Sequence, residues 1–492
     1  MRLGALRCPS QEDGCVIDDN RLDCDLLLRN ATIFTMDADE STHRPGAIAV
    51  SDGEIAAVGA EQDVIAGFRP GRVIDARGAV VHPGFVEGHV HISEQVIRGS
   101  LNPEEFSWDE ALVWSTAWHN AMEPEDEEAA SRLACLEMVR NGTTCFQEPG
   151  TVFEPDAAAA AAEVVGIRGS LADCYLWDLG AISREQPSIT RAPADTKRAL
   201  RVLGTELRRN ADARALVRGH VAIYGIGSCS DELTLAAKAC ADENGVVFNQ
   251  HQSYNELDTG VSDRLHGRHP LVHYADLGVL GPNCNFVHMN IVRADEVAPV
   301  VESGLSITWC PSASMLQGVG GTFRGRHVEL YEQGVNVALG SDAVGWAGAF
   351  DLPVQAFLAV LTAREKTQRQ ALAAADALRM TTINGARAVG LADEIGSLEV
   401  GKRADIVVHR GDLPEAQPVL DEELVSLDRR RASGALQSVM YSSQSKSVDT
   451  VIIDGEIVVE NGRSTRIDEE QAYRDATDAT RRVFKRMGDL NP

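Results

Sequence analysis

Between residues 80 and 342, apolar runs of strand length recur at near-regular intervals, and the stretches between them carry helical spacing. The runs are VVHPGFVEGHVH (80–91), TTCFQE (143–148), IRGSLADCY (167–175), ALVRGHVAIYG (215–225), GVVFNQHQ (245–252), NCNFVHMN (283–290), LSITWCP (305–311) and VNVALGSD (335–342). Interludes such as EPEDEEAASRLACLEMVRN place apolar residues three and four apart, as a helix with one buried face requires. Such alternation favours parallel strands, because each helix returns the chain to the same end of the sheet. Eight of these units predict an α/β fold, a TIM-like (β/α)8 barrel.

The flanks read differently. From Asp25 to about Val81, LLLRNATIFTM, AIAVSDGEIAAVG and RVIDARGAVV are punctuated by turn residues, which predicts a small antiparallel sheet. A matching set returns late in DIVVHRGD (405–412) and TVIIDGEIVVENGR (450–463), the latter a hairpin turning at Asp454-Gly455. The expected organisation is therefore a barrel, residues 82–391, inserted into a composite β-sandwich of 25–81 and 392–465. Residues 1–24 form an N-terminal extension, and 466–492 carry a terminal surface helix.

Composition narrows the function. Asp and Glu outnumber Lys and Arg by 73 to 46, a formal charge of −27 that repels nucleic acid and anionic lipid. No apolar stretch reaches the ~18 residues of a spanning helix or resembles a signal peptide. The ten cysteines form no CxxC pair and sit mostly in apolar runs, as reduced thiols do, so a cytoplasmic protein acting on a small molecule is expected.

In a barrel of this kind the reacting groups stand at the C-terminal strand ends. The first strand ends in His89-Val90-His91, whose i, i+2 spacing lets two imidazoles converge, and His251, His288 and Asp342 end the fifth, sixth and eighth. Each alone has an ordinary explanation: a satisfied polar histidine, or for Asp342 a helix cap. Together they form an N/O donor set suited to Zn2+, Fe2+ or Co2+.

These residues lie in a chain that resembles the amidohydrolase superfamily, in the branch holding chlorohydrolases and aminohydrolases of triazines, adenosine derivatives and guanine. The resemblance runs from about Asp25 to Gly462 through HPGFVEGHVH (82–91), IRGSL (97–101), EMVRNGTTCF (137–146), VHMN (287–290), WCPSAS (309–314), VALGSDA (337–343), TTINGARAVGL (381–391) and IGSLEVGKRADIVV (395–408). It implies that His89, His91, His251 and Asp342 hold one divalent ion per chain, with zinc the expected metal. It further implies that Asp342 relays the proton, His288 orients or polarises the substrate, and the protein is a homodimer or higher homo-oligomer.

Departures from the family pattern direct the choice of reaction. Deaminases of this family carry a glutamate three residues after the fifth-strand histidine, where this chain has Tyr254, with Glu256 two residues on. Tyrosine titrates near ~10 and cannot shuttle protons at neutral pH as glutamate does. Glu87 and Ser314 also replace the usual Asp or Asn and the usual Asn. The first expectation is therefore hydrolysis of a C–N or C–S bond in a small urea, amide or thiocarbamate, in the manner of phenylurea and molinate hydrolases. The alternative is an aminohydrolase or chlorohydrolase of a triazine, purine or pterin, with Glu256 or a water in place of the absent acid. A non-catalytic scaffold is a third reading, disfavoured by the complete donor set.

Aromatic residues suggest a flat-walled apolar pocket. Trp108, with Trp114 and Trp118, follows the first strand, where the family builds one pocket wall; Tyr224, Tyr254, Trp309 and Trp346 complete the expected substrate contacts. His220 lies within the fourth strand, where binuclear relatives place a bridging lysine, and is expected to be structural. His220 or Glu148 joining a second metal is the alternative.

Overall fold

The structure, a computed structural model, describes residues 21–100, 117–179, 195–225, 227–417 and 434–490. All eight expected runs form barrel strands. In order they are Phe85–Glu87, Thr143–Gln147, Arg168–Leu171, a fourth in two parts (Val217–Gly219 and Val221–Gly225), Phe248–Gln252, Cys284–His288, Ser306–Trp309 and Asn336–Leu339. Every neighbouring pair is parallel. The fourth strand pairs with the third through its first part and with the fifth through its second, and the His220 N–H between them donates to Leu171 O at 3.0 Å.

The barrel closes between its first and eighth strands. Gly88 N donates to Leu339 O at 3.1 Å, Asp342 N donates to His89 O at 3.0 Å, and Val90 forms a parallel bridge with Asp342. This seam places the HVH segment beside Asp342 despite the whole barrel lying between them in sequence. The first strand itself ends at Glu87, so His89 and His91 stand just beyond it, held extended by the seam rather than by a regular ladder.

The run 80–91 serves two sheets. Val80–Pro83 pairs with Leu22–Phe34 and Ile406–His409 outside the barrel, and the chain then crosses into it through Gly84, where a Cβ would lie 2.0 Å from Thr144 Oγ1. The outer sheet has nine strands drawn from both chain ends, joined edge to edge. It curls back on itself, since Ile55 N donates to Lys402 O at 2.8 Å and Glu54 bridges Arg403. Leu28, Ile33, Ile48, Ile55, Ile406 and Ile452 share its core. Asp52-Gly53 and Asp454-Gly455 both turn with positive φ at each residue, the geometry that two-residue hairpins favour. Arg168 in the third barrel strand meets Asp405 of the outer sheet at 3.2 Å with both side chains buried.

Inside the barrel, Gln147 Oε1 accepts from Asn249 Nδ2 (3.1 Å) and Asn285 Nδ2 (2.8 Å), and Thr308 Oγ1 donates to Asn285 Oδ1 (2.8 Å). The opposite strand faces, with Phe248, Phe286, Ile307, Val337 and Leu339, pack against the helices. The terminal helix Glu469–Leu490 is less superficial than expected. Its Ala479, Val483 and Met487 pack with Trp118 and Ala130, and Arg482 and Arg486 reach the buried Asp126. Among the described residues, no helix is long and apolar enough to cross a membrane.

Candidate metal centre

His89, His91, His251, His288 and Asp342 are all buried, and their donor atoms gather at one point on the barrel's C-terminal end. His91 Nε2 lies 3.3 Å from Asp342 Oδ1 and 3.3 Å from His251 Nε2; His89 Nε2 lies 3.7 Å from Asp342 Oδ1. Donors around a tetrahedral ion at about 2.0–2.1 Å stand roughly 3.3 Å from one another, so the spacing matches that of a coordination shell.

The outer ring nitrogens settle which atoms face inward. His251 Nδ1 lies 2.8 Å from Tyr224 O, which can only accept, so Nδ1 carries the proton and Nε2 a lone pair. His91 Nδ1 lies 2.8 Å from Thr151 Oγ1, whose own hydrogen goes to Glu148, so His91 Nε2 also presents a lone pair. With both rings neutral two lone pairs face each other, although Asp342 and the nearby carboxyl groups raise the His91 imidazole against its burial, and neither nitrogen of His89 has a hydrogen-bond partner among the described residues. Such an arrangement costs free energy unless a cation lies between the rings, and the residues present fit a divalent ion.

Burial alone would raise the Asp342 carboxyl, yet the His89 and His91 rings beside it hold it well below the ordinary range. Burial lowers His89 and His288 to about 3, so both are neutral and able to donate lone pairs at neutral pH. His288 Nδ1 is 3.9 Å from Asp342 Oδ2 and has no hydrogen-bond partner, while His327 Nε2 donates to the His288 carbonyl at 2.7 Å. His288, Met289, Ser253 and Asp342 all have positive φ, a concentration of backbone strain at this end of the barrel.

The remaining expected residues divide. Tyr224 faces the cluster, its ring 5.1 Å from that of His251 and part of an aromatic group with Phe153, Tyr175 and Trp177. Tyr254 sits edge-on to His288 with ring centres 4.7 Å apart. Trp309 is a correction: the alternation that turns Thr308 inward turns Trp309 outward, where it packs among the helices and stacks on His327 at 4.5 Å. Trp118 is likewise buried against the terminal helix. Trp108 and Trp114 lie outside the described residues, as does the Trp346 side chain.

Glu256, a suggested stand-in for the absent acid, has a 77% exposed side chain paired with Arg324 and lies on the outer surface. Glu87 contacts the eighth-strand loop, accepting from Ser341 N (2.6 Å) and Ser341 Oγ (2.7 Å). Ser314 Oγ accepts from Gly321 N at 3.0 Å, and His220 Nδ1 lies 2.9 Å from Ser170 Oγ within the barrel. A separate Asp231–His266–His273 group lies on partly exposed helices.

Two residues escaped the sequence reading, Thr151 and Glu94. Thr151, bonded to the Glu148 that the sequence offered only as an alternative second-metal ligand, orients His91. Glu94, three residues after His91, is buried with burial pushing its carboxyl up to about 8, and Oε2 has no partner. An acid three residues beyond a ligand histidine was the available signal; a surface helix residue was the ordinary alternative.

Residues 80–458 match the amidohydrolase family. Among characterised proteins, a 5-methylthioadenosine/S-adenosylhomocysteine deaminase of Syntrophobacter fumaroxidans is 30% identical over 89% of this chain and 94% of its own length. A 5'-deoxyadenosine deaminase of Methanosarcina mazei is 27% identical over 94% and 99%. Among solved structures, an adenosine deaminase from Xanthomonas campestris with bound zinc superposes with a TM-score of 0.83 at 25% identity, covering 94% of this chain and 100% of that one. An atrazine chlorohydrolase from Arthrobacter aurescens complexed with zinc shares the fold, with a TM-score of 0.81 at 23% identity, covering 92% and 100%.

Proposed function

Because this chain belongs to the amidohydrolase family, as a hydrolase acting on carbon–nitrogen bonds, we propose that it is a zinc-dependent aminohydrolase that removes an exocyclic amino group from a nitrogen heterocycle of the purine or triazine kind. The urea and thiocarbamate reading recedes to second place. It rested on Tyr254, whereas the deaminase relatives align over nearly the whole chain and none of the similar proteins described is a urea hydrolase.

The observation that carries the proposal is the close approach of His91 Nε2 and His251 Nε2 beside Asp342, in a chain similar to deaminases over most of its length. His89, His91, His251 and Asp342 would hold the ion. A divalent metal bound there would supply an acidified water and Lewis-acid polarisation. Asp342 takes the proton of the attacking water and returns it to the departing nitrogen, a role suited to a carboxylate held ionised. His288, unpartnered at Nδ1 and fixed through its carbonyl by His327, donates to or accepts from the substrate at the reacting carbon. Tyr224 and Tyr254 flank the ring, one beside His251 and one beside His288.

Product analysis tests this reading. Ammonia released from adenosine-type or aminotriazine substrates is expected; aniline from a phenylurea with no ammonia from any heterocycle would restore the urea reading.

A further inference from the structure

The barrel mouth holds several buried carboxyl groups besides Asp342, and their hydrogen bonds separate them. Glu87 spends both oxygens on Ser341. Glu148 accepts from Gly150 N at 2.8 Å and from Thr151 N at 3.0 Å, as well as from the Thr151 hydroxyl. Glu94 differs: its Oε2 is enclosed, yet no group among the described residues donates to it. Its neighbours along the Ile92–Ile97 turn are engaged, Ser93 Oγ with Glu127 at 2.6 Å and Gln95 Nε2 with Glu137 at 2.6 Å. Glu94 is instead close enough to His91, Asp342 and Glu148, and to Tyr224 and Tyr175 of the aromatic group, for their charges to act on one another.

We propose that Glu94 is a substrate-binding carboxyl, whose Oε2 accepts a hydrogen bond from the amino or ring N–H group of the heterocycle. This rests on the aminohydrolase reading and deepens it. A buried acceptor left without a donor costs free energy, so the site binds best the ligand that supplies one and rejects the analogue that does not. Glu94 supplies a second acid at the site from the first barrel strand's loop, whereas the family's deaminases place theirs three residues beyond the fifth-strand histidine; the two positions are unrelated in sequence, though both loops meet at the barrel mouth.

The test uses zinc-loaded wild type, Glu94→Gln and Glu94→Leu, with metal content and melting temperature confirmed equal. Adenosine and melamine are each compared with the counterpart in which every amino group is N,N-dimethylated, by Kd where there is no turnover and by kcat/KM where there is. Wild type should prefer the amino compound, and Glu94→Leu should lose about 10- to 100-fold on it while changing little on the dimethylated one. Glu94→Gln, still able to accept, should fall between. Equal losses on both compounds, no loss, or no binding of either amino compound by wild type would overturn the assignment. Ammonia assayed in the same samples judges the aminohydrolase reading separately: binding that depends on Glu94 without ammonia release would sink that reading and leave the carboxyl's role standing.

Discussion

His91 and His251 face each other through Nε2 atoms 3.3 Å apart, with ring planes only 9° from parallel. Their Nδ1 atoms are committed elsewhere, which leaves the Nε2 lone pairs of the neutral rings to a cation. Chelation should therefore lower the melting temperature as well as abolish turnover. His251→Ala and Asp342→Asn should bring the metal content from near one equivalent toward zero and reduce kcat by at least about a thousandfold. Full activity in metal-free protein would refute this assignment.

Thr151 acts on the metal centre without touching the ion. Thr151→Val removes the acceptor of His91 Nδ1–H and frees the ring to rotate or change tautomer. Metal affinity should fall about 10- to 100-fold, with a smaller loss in Thr151→Ser, read by competition with a chromophoric chelator.

Tyr254 contributes its ring edge to His288 rather than a titratable acid, since burial raises its phenol well above the usual range. Tyr254→Phe should lower kcat/KM by roughly tenfold and leave the pH–rate profile in place. Abolished activity in that variant would show that the hydroxyl takes part in the reaction.

The outer sheet carries a pH dependence of its own. His82 Nε2 and His409 Nε2 lie 2.8 Å apart in a buried pair, and burial holds His82 down to about 4. A histidine with a depressed folded-state pKa contributes stability that is full above the unfolded value of about 6.5 and is lost as pH falls toward 4. Denaturant midpoints should accordingly report about 2 kcal/mol less stability at pH 5 than at pH 7.5 from His82 alone. The difference should shrink in His82→Gln.

Arg168 joins barrel to sheet through Asp405, both almost fully buried. Arg168→Ala leaves Asp405 without its cation and should destabilise the protein by about 3–5 kcal/mol in equilibrium denaturation. A cost below about 1 kcal/mol would mean that the Asp454 N–H bond to Asp405 suffices.

The sequence by itself determined the barrel, because eight apolar runs separated by amphipathic helices have few other ways to bury their faces. It also pointed to the candidate donor set, since His251 and His288 close their strands and His89, His91 and Asp342 follow just beyond theirs, and those ends share one side of a parallel barrel. What each side chain faces was decided by tertiary structure. Trp309 and Tyr224 look alike as aromatic strand ends, yet one turns to the helices and the other to the metal centre, because a single step of strand alternation reverses the face. Glu256 and Glu94 also look alike as acids near ligand histidines. Only packing put Glu256 on the surface with Arg324 and enclosed Glu94, since sequence spacing fixes distance along the chain and not the direction in which a loop returns.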